Sequence, residues 1–252
     1  MGHIIHMRLD EPSKVHFHIT KRIEEGEGAS ALRFLGEGIH LDPFVLFDEY
    51  TVPHDAFFPM HPHSGFEGFQ FLLEGSTRYE DGYGNVGTIG PGGARRFLCT
   101  DGFKHSERPQ NGLEVKGILL WVRLPKGELE ISRTYRQVAP EEIPVRYEGG
   151  LKVRTVVGTP SSLGSLVPIT MEIMEGSGTL DLELSGPENA FIYVSRGRAL
   201  AGEMSADPGE GLLFRGPLSS RIAIAHGALA VLARGKAMGG HFVQEGPFVK
   251  WT

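Results

Sequence analysis

Two histidines one residue apart, His61 and His63, stand in the stretch FFPMHPHSGFEGFQFLLEG, and a second short-spaced pair, His105 and Glu107, stands in GFKHSERP. Strand side chains alternate faces, so residues i and i+2 point the same way. Each pair, placed on a strand, presents two donors to one interior point. Two such strands in one barrel would bring three imidazoles and one carboxylate together. That set suits one first-row transition-metal ion, Fe(II) first, with Mn, Cu, Ni or Zn as alternatives. Four protein donors on an octahedral ion leave open positions, and open positions mean chemistry, since a structural site would be closed.

The spacing alone is weak evidence in a chain of 252 residues with 11 histidines. His16 and His18 repeat it without an acidic or histidine follow-up, and are read as structural or surface residues. His226 and His241 lack a partner at ligand spacing, and His40 and His54 are read as loop residues. Cys99 is the only cysteine, which excludes an intramolecular disulfide and fits a reducing compartment. It sits among strand-forming residues and is read as buried filler.

The elements that must position these donors are strands. Segments 43–50, 66–73, 115–124, 151–157, 179–184, 190–194 and 222–232 are rich in branched and aromatic residues, and most are bounded by Gly or Pro. The 35 glycines and 16 prolines are scattered, as suits tight turns between short strands. PEEIP at 140–144 is the one place where a short helical turn is expected. The stretches 71–98 and 191–217 resemble one another: an apolar strand ends at Gly75 or Gly197, a hairpin follows, and a Pro-Gly turn precedes a further strand. Either this is the common likeness of β-hairpins, or the chain is a duplicated β-barrel with residues 125–150 as connector.

Charge narrows the partners. The formal balance of −6 shows no Lys/Arg block, with Arg95-Arg96 only a pair, so direct nucleic-acid binding is not expected. No apolar run reaches the length of a membrane span, and the amino terminus lacks the order of a signal peptide. The expectation is a cytoplasmic protein away from membranes.

Six stretches together resemble the pirin family of the cupin superfamily: LDPFVLFDEY at 41–50, HPHSGFE at 61–67, LLEG at 72–75, GNVGTIGPGG at 84–93, HSERP at 105–109 and LWVRLP at 120–125, with a weaker echo in GPFVKWT at 246–252. The resemblance implies an all-β bicupin of two antiparallel jelly-roll barrels: residues 1–135 with the metal, residues 136–252 without it. Its ligands would be His61, His63, His105 and Glu107, with iron the usual metal. Several members are quercetinases, which open a flavonol ring with dioxygen; others are regulatory proteins whose metal state alters binding of a protein partner. The chain departs from the family at Ser64, at Gln70 and across 96–102, which changes the pocket wall and hence the substrate.

An enzyme of this kind needs a small aromatic or polyphenol substrate, an apolar cavity and a base. Phe57, Phe58 and Phe66 are candidate wall, and Glu107 is the candidate catalytic base. Many cupins take a different carboxylate, which here is Glu67, four positions after His63. Glu107 is assigned to the metal, and Glu67 is expected behind the ligands as a hydrogen-bond partner. The alternative function is a regulatory module using the metal as a structural or redox switch.

Overall fold

The structure is a computed structural model that describes residues 14–36, 38–100, 102–126 and 135–252. The amino-terminal stretch read for a signal peptide, Asp101, and residues 127–134 of the connector lie outside the described residues. Among those described, nearly everything is strand; the helical exception is one 3-10 turn, Pro140–Glu142, within the expected PEEIP stretch. No helix among them is long and apolar enough to cross a membrane.

The fold is a bicupin. The first unit is built from two sheets. One runs in the order Tyr135–Val138, Ala94–Cys99, Phe66–Glu74, Val115–Arg123, Phe44–Val52, Ala29–Leu35 and Lys21–Glu25. The other runs Phe58–His63, Phe103–Pro109, Thr77–Asp81 and Val86–Ile89. The second unit centres on three long strands, Ile169–Leu184, Glu188–Ala201 and Leu218–Lys236, flanked by shorter ones.

The units share a core. Phe191 lies 5.3 Å from Phe44, 4.9 Å from Phe47 and 5.6 Å from Phe34, ring centre to ring centre. Tyr193 and Ser195 donate to the Glu49 carboxylate at 2.6 and 2.8 Å. Strands buried on both faces read as continuous apolar runs, which is why PFVLFDEY carries little alternation.

Both chain ends cross over. Val15–Ile19 pairs with Glu210–Arg215 at the edge of the second unit's sheet. The hairpin Phe242–Glu245 and Phe248–Trp251 returns to the first unit, where the Val249 amide donates to the Ser64 carbonyl at 2.9 Å. Gly65 permits this approach: its φ is +87°, and a Cβ there would stand 1.8 Å from the Val249 carbonyl oxygen. Arg123 anchors the hairpin, bonded to Asp42 at 2.8 Å, with its guanidinium 5.1 Å from the centre of the Phe242 ring and 4.4 Å from that of Trp251.

Candidate metal centre

His61 and His63 share one face of Phe58–His63, and the neighbouring strand places His105 directly across from His61. The rings converge: centroids lie 4.6 Å apart for His61–His63, 4.6 Å for His61–His105 and 4.9 Å for His63–His105. One nitrogen from each of the three lies within 4.8 Å of the others. Such a triad could hold a metal ion.

The outer nitrogens settle which atoms face inward. His61 Nδ1 donates to the Pro59 carbonyl at 2.7 Å, and His63 Nδ1 to that of Pro247 at 3.4 Å. A proton on Nδ1 leaves Nε2 with its lone pair, the form a cation requires. His63 Nε2 lies 3.0 Å from His105 Nε2. Burial, reinforced by the charge of His61, pulls His63 down to about 3, and burial holds His105 well below the usual imidazole range. Three imidazoles turned to one point, with no thiolate among them, fit the first-row ion expected from the donor types.

Glu107 is close but turned. A register shift between His105 and Glu107 sets Glu107 opposite Phe58, one residue out of step. Its Oε1 accepts from Arg95 Nη2 and lies 3.5 Å from His105 Nδ1; its Oε2 accepts from Gln70 Nε2 at 3.0 Å. The i, i+2 spacing thus brings Glu107 beside the triad without joining its carboxylate to the three imidazoles.

Glu67 is not behind the ligands. It is fully buried, and its carboxylate accepts from Arg96 Nε, from Ser165 Oγ at 2.6 Å and from the Leu166 amide at 3.1 Å, facing the second unit. The expectation carried strand parity from His63 to Glu67. The chain turns at Gly65 and changes sheets there, so that parity does not survive. Burial pushes Glu67 up, opposed by these three donors.

Beside the triad lies a cavity of about 410 Å³. Leu46, Phe58, Phe97, Leu119 and Trp121 line it with apolar wall, and Tyr50, Gln70 and Glu107 with polar groups. Of the three phenylalanines expected in the wall, only Phe58 lines it. Phe57 is 39% exposed, and Phe66 stacks behind on Trp121 at 3.9 Å. Gln244, Gly246 and Pro247 of the returning hairpin also line the cavity, from the far end of the chain. Sequence reading missed Arg95 as a site residue. The signal was an arginine two residues before Phe97 on a strand, hence on that residue's face.

Cys99 is buried and unpaired, its thiol pushed up by burial. His16 and His18 lie on the edge strand Val15–Ile19, and the grouped metal-type donors among the described residues do not include them. His54, His226 and His241 are exposed, and His40 packs on Phe242 at 4.8 Å.

Two β-barrels with a histidine triad in the first define a bicupin whose triad could hold a metal ion. A family model described as Pirin matches residues 27–122. Pirin-like protein 2 of Arabidopsis thaliana is 30% identical over 251 residues, covering 92% of this chain and 78% of that protein. A Pseudomonas aeruginosa protein named as a candidate quercetin 2,3-dioxygenase is 30% identical over 260 residues, covering 93% of this chain and 90% of that one. The chain belongs to the pirin family. Its fold is similar to a crystal structure of quercetin 2,3-dioxygenase from Acinetobacter baumannii, with TM-score 0.84, 19% identity, and 94% and 84% of the two chains covered. It is also similar to the bacterial pirin YhhW of Escherichia coli in complex with nickel(II), with TM-score 0.71, 16% identity, and 89% and 100% covered.

Proposed function

We propose that this chain is a metal-dependent dioxygenase of the quercetinase type, opening the ring of a flavonol or similar polyphenol with dioxygen. The observation that carries the reading is the placement of three converging imidazoles beside an aromatic-walled cavity of about 410 Å³. That volume lies within the usual range for a small-molecule site. The quercetinase name attached to the Pseudomonas relative supports the same reaction class. His61, His63 and His105 hold the ion, Fe(II) in our reading, with Glu107 as fourth donor. The site lies in a first unit of residues 1–135, and the unit of residues 136–252 carries no metal.

When bound, the ion supplies open positions for a substrate oxygen and dioxygen, and its charge favours the deprotonated substrate. The chain's residues do the rest. Phe58, Phe97 and Trp121 orient a flat aromatic ring and exclude water. Glu107 lines the cavity beside His105, and in our reading it takes the proton of the substrate hydroxyl. Tyr50 keeps its own proton, since burial and the nearby Glu107 push its phenol up.

The test is oxygen uptake and carbon monoxide release by the iron-replete chain with a panel of flavonols. Turnover that vanishes on metal removal supports the reading. If the iron-loaded protein consumes no oxygen with any flavonol, the regulatory-module reading replaces it.

A further inference from the structure

Arg95 is a charged side chain only 1% exposed, in the first barrel. It stands in register with Gln70 on the neighbouring strand, and it reaches Glu107 on the opposite sheet. Its guanidinium lies 4.7 Å from the centre of the Tyr79 ring and 5.3 Å from that of Phe97. Arg95 takes one oxygen of Glu107 and Gln70 takes the other. The carboxylate is therefore tied on both sides, within 3.5 Å of a ring nitrogen of His105.

We infer that Arg95 is a positioning residue that competes with the metal ion for Glu107, and so sets the affinity and the charge of the centre. The inference rests on the reading of the triad as a metal site with Glu107 as fourth donor. If Glu107 turns to the ion, Arg95 stays buried with only aromatic faces beside it, and its Nε already has no hydrogen-bond partner. A buried charge deprived of its partner is strongly disfavoured. The freed guanidinium would also lie close to a dication and repel it. Both effects oppose the four-donor state. They also leave the centre one positive charge richer than the same donors would be without Arg95, which favours the lower oxidation state of the ion.

An ion pair that served only to hold the barrel together would predict the opposite outcome when broken. Loss of Arg95 would then loosen the site and weaken metal binding. Competition predicts tighter binding, because the carboxylate is released.

The experiment is nickel(II) titration calorimetry on the full chain as wild type, Arg95→Gln, Glu107→Gln, the double variant and Arg95→Lys, each metal-free at the start. Arg95→Gln should bind nickel about tenfold more tightly, the low end of what a residue behind the ligands commonly controls. Glu107→Gln should weaken binding in the wild type and by a larger factor in the Arg95→Gln background, where it cancels at least the whole gain, a coupling that independent sites do not show. Arg95→Lys, which keeps the charge, should stay within about threefold of wild type. Binding by Arg95→Gln no tighter than wild type, or an equal cost of Glu107→Gln in both backgrounds, overturns the inference. Should Arg95→Gln fail to fold, Gln70→Met decides: it removes the second tie and should raise affinity about threefold, and an unchanged or lower affinity overturns the inference. Nickel binding that survives His61→Ala with His63→Ala would instead sink the underlying site, whatever Arg95 does.

Discussion

Each barrel has a spine of two long antiparallel runs, and the two spines are built differently. In the second unit Ile169–Leu184 faces Leu218–Lys236, hydrogen-bonded in one sheet throughout and bent at the bulge between Gly176 and Gly178. In the first unit residues 58–74 face residues 94–109, but the first run breaks after His63 and the second after Cys99, and each crosses from one sheet to the other. His63 is the last strand residue before one break, and His105 lies just beyond the other. The interior of the second unit holds Leu182, Ile192, Leu212, Ile222 and other apolar side chains. Closing a barrel does not by itself make a site. In this chain the triad lies where the strands change sheets.

The largest expected effect breaks the comparison at its root. His61→Ala with His63→Ala should lower bound metal from about one equivalent to near zero, measured by metal analysis after reconstitution, because a single imidazole and one tied carboxylate remain. A wild-type stoichiometry near two would put a second ion in the other unit and erase the asymmetry. Next comes Phe191→Ala, which removes the ring between the units and should lower unfolding free energy by about 3–5 kcal/mol in urea titration. If the units are coupled as the shared core requires, unfolding stays a single transition, and two separated transitions would show the barrels to be independent.

Much of this asymmetry was legible in the sequence, and the illegible part has a physical cause. The pairs His61/His63 and His105 plus Glu107 announced the donors, and the alternation of strand faces brought the imidazoles together as expected. Spacing carries face information only while a strand continues. It failed at Gly65, where the chain changes sheets and sends Glu67 to the other unit, and the register shift before Glu107 sets that carboxylate beside Arg95. The returning hairpin was invisible for another reason. Pro247 meets His63 across 184 positions, a separation that no local pattern encodes.

A smaller effect tests that hairpin. Gly65→Ala puts a Cβ into the Val249 carbonyl at a backbone angle that favours glycine, so the segment Phe242–Trp251 should undock. His63 then loses its Pro247 partner, and nickel affinity should fall about tenfold, with faster hydrogen exchange at the Val249 amide. Unchanged affinity with a protected Val249 amide would show that the hairpin is not part of the metal centre.

The smallest expected effect on the metal is also the sharpest test of how the two units differ. Glu67 lies on the first unit's spine but serves the contact between units, joined to Arg96, Ser165 and the Leu166 amide. Glu67→Gln keeps the shape and one acceptor oxygen while removing the charge that Arg96 pairs with. Arg96 is itself mostly buried, so the loss should appear as stability, about 1–3 kcal/mol in urea titration, the cost of leaving a buried group short of its partner. Nickel affinity should stay within about twofold of wild type, because no ligand hydrogen-bonds to Glu67 and the effect of an outer partner depends on touching a ligand. A fall of tenfold or more in nickel affinity, with stability unchanged, would return Glu67 to the place behind the ligands that strand parity first gave it. Loss of stability with metal binding intact would assign the His-x-His-x-x-x-Glu spacing in this chain two separate tasks, one end holding the ion and the other holding the barrels together.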